Sequence, residues 1–510
     1  MSTAPPLAGT HETLVDAMDA AAVQLRDHDA YVEGDRRLTF GDWIDTADCV
    51  AAALRARGVR PGDVVALMLP PSIDYAICSA AAVRAGATVT GLNTRLGPRE
   101  VDAIFERCRP ALVIRDEALG LPPVPAPVAV LGRHELPGAA AVEPLGRARP
   151  SYRRDDPAVI IWTSGTTGLP KGAWFDHDGL RAAVASAGAM AAPFDRRLAA
   201  TPFAHAGYMA KLWEQLAWAI TLVISPTPWT AADTVRLLSE ERITVAGAVP
   251  TQWAKVLEHP ELAHANLSHL RLCLSATAPA SPGLIAAIEQ RMGSAVVVRY
   301  AMTESPSITG TDPDDPPELQ HRTVGRPQAG VELELRDDAN APVPVGAVGR
   351  VHVRSAGAMR GYWRDPERTA AVFAGDGWLR SGDLGRLDGA GNLMLVGRAS
   401  DMYIRGGYNV YPLEVERVLT EHAAIEQAAV VGVPAPVIGE IGVAFVVPAS
   451  GAVVPPLEEL RAWCRVRIAD YKAPDRVVIV DAFPLTPMMK VDKSALRASA
   501  LAHHGASPQR

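Results

Sequence analysis

AVIIWTSGTTGLPKGA, residues 158–173, carries the strongest local signal in this chain. An apolar run suited to a buried strand passes straight into Thr163, Ser164, Gly165, Thr166, Thr167, Gly168, Leu169, Pro170, Lys171 and Gly172, and a helical pattern follows from His177. Glycines let a backbone bend and come close to a polyanion, hydroxyls donate hydrogen bonds to phosphate oxygens, and Lys171 adds positive charge. The spacing differs from the common nucleoside-triphosphate loop, in which Gly-Lys is followed at once by Ser or Thr. The chemistry nevertheless suits a triphosphate.

Outward from this loop, helix and strand patterns take turns between residues 38 and 93. Residues 43–57 read as a helix, 64–68 as a buried strand, 73–85 as a helix and 88–91 as a strand, which predicts a layered α/β core with parallel strands. Residues 109–157 are rich in Pro and Gly and read as a surface excursion, and the acidic TDPDDPPEL at 311–319 reads as a loop. Near Gly397 the character changes. GRASDMYIRGGYNVYPLEVE is followed by strand patterns at 428–433 and 442–447, a helix at 457–470 and a strand at 476–480. The expected fold class is α/β: a large multi-layer N-terminal region with mixed sheets (1–398) and a small mobile α+β C-terminal lid (399–510).

With 510 residues, 48% hydrophobic and 21% charged, the chain excludes wholesale disorder and a fibrous repeat. A net charge of −7 offers no electrostatic reason for a nucleic-acid or anionic-membrane partner. Cys49, Cys78, Cys108, Cys273 and Cys464 form no CxxC pair and read as thiols in a reducing compartment. The N-terminus has no secretion-signal pattern, and the apolar residues 76–92 are interrupted by Arg84 at the lower length limit for a bilayer span, so the expected location is cytoplasmic, without a membrane span. Six lysines stand against 44 arginines, which makes a lysine at a motif position notable. No pattern assigns an oligomeric state.

The loop resembles the phosphate loop of the adenylate-forming superfamily, which includes acyl-CoA synthetases, nonribosomal-peptide adenylation domains and beetle luciferases. Six more segments resemble that family's motifs in order, so the resemblance spans residues 38–496. TPFAHAG implies an acyl-pocket mouth at His205 and Gly207. SATAPAS implies a pocket residue at Ala276 and adenine contacts at Thr277, Ala278 and Pro279. YAMTES implies that Tyr300 stacks on adenine beside Ala301 and Met302, that Thr303 touches the α-phosphate and that Glu304 holds magnesium. SGDLG and GRASD imply ribose contacts at Asp383 and Arg398 and a hinge at Asp401. Gly406 and Gly407 imply a lid loop that changes shape, and PLTPMMKVDK a catalytic Lys490.

The implied activity is ATP- and Mg2+-dependent activation of a small-molecule carboxylic acid to an acyl-adenylate, followed by transfer to coenzyme A. No acidic residue and no arginine in TPFAHAGYM, GAVPTQWA or SATAPAS offers an ion-pair partner, which favours an apolar acid, whether fatty, aromatic or polycyclic. Departures from the family pattern are Met489 where Gly usually precedes the lysine, Ala276 and Thr277 for Gly–Gly, Ala301 for Gly, and Ala435 for Asp. Two alternatives stay open: an adenylating enzyme that serves a carrier protein or a separate transferase, and, from another class, a non-catalytic nucleotide-binding regulator.

Overall fold

A computed structural model describes residues 5–7, 9–125, 127–137, 150–163, 169–276, 282–486 and 490–502. Apolar runs with β-branched residues become the central strands of two large sheets. One has seven strands in the order Gly361–Tyr362, Lys171–Asp176, Pro157–Thr163, Thr88–Gly91, Val64–Met68, Leu112–Arg115, Ala129–Gly132. The other has nine: Arg326–Pro327, Ser305–Gly310, Ala295–Met302, Leu272–Ala276, Val245–Ala248, Arg196–Ala199, Thr221–Ile224, Asp29–Glu33, Arg36–Thr39. Both are mixed: the nine-stranded sheet has a parallel centre and antiparallel edges, and the seven-stranded sheet is parallel except for the Gly361–Tyr362 side, where the last pairings are antiparallel.

Helices Leu14–Gln24, Phe40–Ala56 and Ile73–Arg84 share one core with Val65, Val89 and Ile161 of the first sheet and Tyr31, Leu222 and Ile224 of the second. Each helix starts at a hydroxyl cap (Thr13, Thr39 and Ser72) whose oxygen accepts an otherwise orphaned amide. Arg84, the charge that interrupts the apolar 76–92 run, is fully buried and bonds Asp48 and Asp19. The five cysteines are buried thiols. Among the described residues no helix is long and apolar enough to cross a membrane.

The expected excursion at 109–157 is corrected: residues 112–115 and 129–132 are strands that extend the seven-stranded sheet. Four-residue apolar runs are too short to show periodicity among prolines, and pairing with a preformed strand decides them. The loop expected at 311–319 runs into a short helix, Pro317–Arg322, with Pro at its start.

A four-stranded antiparallel sheet, Val331–Arg336, Val348–Ser355, Leu379–Leu387, Leu393–Arg398, follows. After the turn at Ala399–Met402 the chain builds another sheet, in which Tyr403–Arg405, Tyr408–Val410, Ile425–Ala435 and Gly439–Pro448 pair antiparallel and Arg476–Ile479 pairs parallel. Its two faces carry separate apolar clusters, one around Tyr403, Val415 and Leu460 and the other around Val433, Phe445 and Leu496. The helix expected at 457–470 ends at Arg465, where the Arg467 amide turns back to the Cys464 carbonyl.

Candidate active site

The phosphate loop, Ala276 and the Thr303–Glu304 turn lie at the carboxyl ends of strands that each pair parallel with a neighbour, where open α/β sheets bind ligands. Pro157–Thr163 and Lys171–Asp176 form a hairpin with Thr163 opposite Lys171, so both ends of the phosphate loop are held in register. Ser164, Gly165, Thr166, Thr167 and Gly168 lie outside the described residues. Strand Gly361–Tyr362 pairs next to Lys171–Asp176 and brings Tyr362 under the lysine, whose Nζ stands 5.4 Å from the ring centroid. This is a cation–π distance.

Tyr362 also reaches a second segment. Thr303 and Glu304 form the two-residue turn between Ala295–Met302 and Ser305–Gly310, closed by the Met302–Ser305 pair. Glu304 is buried there, and its Oε1 accepts the Tyr362 hydroxyl at 2.6 Å. Burial, together with this carboxylate, pushes the phenol pKa up. Among the described residues Oε2 of Glu304 accepts no hydrogen bond, so one hard oxygen is free. That matches magnesium, which binds through one or two carboxylates and the substrate's phosphates.

Tyr300 is buried at a bulge in Ala295–Met302, and its hydroxyl donates to Asp383 Oδ2 at 2.5 Å. Asp383 sits opposite Arg398 in the four-stranded sheet, with Nε 3.2 Å from Oδ1. Its direction is set locally: Ser381 Oγ donates to the Val351 carbonyl and accepts the Asp383 amide, and Gly382 between them has φ +81°. Burial raises the Asp383 pKa while Arg398 opposes the shift. Ala301 is exposed beside the bulge, and Met302 packs between two core clusters. Ala276 ends strand Leu272–Ala276, opposite Arg299. Thr277, Ala278 and Pro279 lie outside the described residues.

Lys490 comes from the C-terminal region. Leu485 bridges Val491, and the Thr486 amide donates to the Lys490 carbonyl at 2.8 Å, so the lysine stands at the base of a tight reversal. Its ammonium lies in the field of Arg398, Asp383 and Glu304. Lys490 is exposed as a residue, yet desolvation where its ammonium nears the cleft lowers its pKa and Arg398 adds to this, while the two carboxylates pull the other way. His205 caps the short helix Ala206–Met209, with Nδ1 accepting the Gly207 amide at 3.3 Å. Burial and the nearby Lys490 charge lower its pKa to about 4, so the imidazole is neutral at ordinary pH.

The structure thus brings together Lys171, Tyr362 and Glu304 in one chain of contacts and Tyr300, Asp383 and Arg398 in another, with Lys490 facing both groups. Asp401 sits in the turn between the two C-terminal sheets, its amide on the Arg398 carbonyl at 3.1 Å. Gly406 and Gly407 form the exposed two-residue turn of hairpin Tyr403–Val410, both with positive φ. Met489 lies outside the described residues, and Ala435 ends strand Ile425–Ala435. Sequence reasoning missed Tyr362, whose only signal was an aromatic before a turn. It also missed Arg299, although this residue directly precedes Tyr300.

Comparison with known proteins places the chain in a family. Residues 18–363 match the family model described as AMP-binding enzyme, and residues 414–490 match the AMP-binding enzyme C-terminal domain. The chain belongs to the AMP-binding enzyme family. It is 34% identical, over 95% of its length and 98% of the relative's, to a Mycobacterium tuberculosis propanoyl:CoA ligase whose acyl group carries a methyl-dioxo-octahydroindenyl ring system. Among solved structures it is similar to the anthranilate CoA ligase AuaEII in complex with anthranoyl-AMP (TM-score 0.87, 27% identity, 98% of this chain and 99% of that one). It is likewise similar to the amide bond synthetase McbA from Marinactinospora thermotolerans (TM-score 0.85, 33% identity, 95% and 99%).

Proposed function

We propose that this enzyme is an AMP-forming acyl-CoA ligase. It activates a small-molecule carboxylic acid with ATP, releases pyrophosphate, and passes the acyl group of the adenylate to coenzyme A. The observation that carries the reading is the placement of Lys490 in the field of Asp383 and Glu304. A carboxylate attacking the α-phosphorus of ATP brings two anions together, so the site must align them and cancel their repulsion. Tyr300 supports adenine and, with Arg398, holds Asp383 toward the ribose. The phosphate loop, from Thr163 through Ser164, Gly165, Thr166, Thr167 and Gly168 to Lys171, receives the polyphosphate, and Thr303 meets the α-phosphate. Magnesium held by Glu304 would neutralise phosphate charge. Lys490 places a compact cation where carboxylate and α-phosphate meet. Neutral His205 lines the acyl mouth with Gly207 and Ala276 and moves no proton.

In this reading residues 1–398 are the body and 399–510 a cap that swings about Asp401 between the two steps. Strand Leu393–Arg398 pairs within the four-stranded sheet and Tyr403–Arg405 within the C-terminal one, which supports a joint at that turn. Acid-dependent pyrophosphate release over a panel of carboxylic acids, with products analysed with and without coenzyme A, tests the reading. The expected result is release with at least one acid and a CoA thioester as product. No release with any acid would favour a nucleotide-binding regulator, and an adenylate that needs a carrier protein or an amine as acceptor would replace the thiol step.

A further inference from the structure

One face of the nine-stranded sheet carries unbalanced charge. Register aligns Arg197 with Val245, Val245 with Leu272, Leu272 with Ala295, and Arg299 with Ala276. Side chains alternate along a strand, so Arg197, Val245, Leu272, Val297 and Arg299 share a face, opposite to that of Tyr300. The middle of this face is apolar, with Val245, Leu272 and Val297 packed against Leu274 and Met190. Its ends are cationic.

The segment that follows His205 and Gly207 brings Lys211 and, on helix Leu212–Trp218, Glu214 to the same place. The Glu214 carboxylate is buried and accepts Arg197 Nη1 and Lys211 Nζ, each at 2.9 Å. Burial works against its charge, yet the two cations hold its pKa at about 2. One carboxylate therefore answers both cations, and Arg299 adds a third. Among the described residues Arg299 makes no ion pair; Glu214 and Asp312 act on it only at a distance. Its side chain lies across Gly310, where an added Cβ would come within 2.7 Å of Nε and Nη1, and Nη2 donates to the Ala187 carbonyl at 3.0 Å. Among the described residues Nε and Nη1 of Arg299 are buried without a partner, as is Nε of Arg197. Idle buried donors, even on a half-buried cation, are costly unless an anion fills them in the working state.

We propose that Arg299, with the surplus charge of Arg197 and Lys211 behind it, forms a subsite for an anionic group at the far end of the acyl substrate. The acid activated here then has an apolar middle and a second carboxylate. The location ties this group to the acyl substrate rather than to the nucleotide: Arg299 is the cross-strand partner of Ala276, and Lys211 follows Gly207 by four residues. The inference rests on the ligase reading and narrows its substrate class.

The test compares acids of one chain length that differ only at the far end, namely a dicarboxylic acid, the matching ω-oxo acid and the matching methyl-terminated acid, by acid-dependent pyrophosphate release. Wild type should prefer the dicarboxylic acid over the methyl-terminated one in kcat/KM by on the order of 10²-fold, as expected when idle buried donors discriminate. Arg299→Met should collapse that ratio to near one, and Arg299→Lys should keep most of it. Preference for the oxo or the methyl-terminated acid in wild type overturns the subsite, and this comparison stands even if the Met variant fails to fold. An Arg299→Met loss equal for all three acids also overturns it. Turnover of the methyl-terminated acid alone leaves the ligase intact and removes the subsite, whereas silence with every acid removes the ligase reading itself.

Discussion

A single phenol joins the cation at the base of the phosphate loop to the buried carboxylate of the Thr303–Glu304 turn. The Tyr362 hydroxyl donates a hydrogen bond to Glu304, and its ring face lies under Lys171. A hydrogen bond to a charged group contributes about 1.5–3 kcal/mol. Tyr362→Phe should therefore raise the magnesium requirement of pyrophosphate release roughly 10- to 100-fold with the fold intact, and a magnesium titration reads this directly. An unchanged requirement would show that the contact is only structural. His205 gives a second prediction at this scale. The unfolded chain protonates it near the ordinary histidine value of about 6.5, the folded chain only near 4. Between those values the unfolded state binds more protons, so this group's stabilisation is complete above about pH 6.5 and is lost as pH falls toward 4. Denaturant midpoints between pH 7 and 5 should fall less steeply in His205→Gln than in wild type.

At the scale of elements, strand Leu379–Leu387 aims Asp383 by a local irregularity. Gly382 takes φ +81° with no neighbour near its missing Cβ, so the cost of a side chain there is backbone strain alone, about 1–2 kcal/mol. Gly382→Ala should lower stability by about that amount and raise the KM for ATP more than it lowers kcat, measured by unfolding and by nucleotide titration. An unchanged KM would separate the bulge from nucleotide binding. Elements of this kind were legible in different degrees. Strands Val64–Met68 and Thr88–Gly91 lie where their apolar runs place them, since each is buried on both faces between helices. Strands Leu112–Arg115 and Ala129–Gly132 hide among prolines, because their stability comes from a neighbour already in place. The phosphate segment showed its strand and turn chemistry, but nothing local marked the Gly361–Tyr362 edge beside it.

Across the whole molecule, the contacts that build the cleft join residues far apart in the chain: Tyr362 meets Glu304 across 58 positions, and Tyr300 meets Asp383 across 83. No periodicity or turn rule reaches that far. The order of motifs indicated which segments belong together, and sheet topology explains how, by setting strand ends side by side. Arg299 shows the converse. Its segment was read for nucleotide contacts, and strand alternation turns its neighbour toward the other face. In the proposed mechanism Lys490 serves the first half-reaction by neutralising two meeting anions and then leaves. Lys490→Ala, assayed separately for pyrophosphate formation from acid and ATP and for thioester formation from supplied acyl-adenylate and coenzyme A, tests it most directly. The expected result is a loss of about 10²–10³-fold in the first reaction, by analogy with removal of a preorganised oxyanion donor, and little change in the second. A first half-reaction within tenfold of wild type, or equal losses in both, would contradict it.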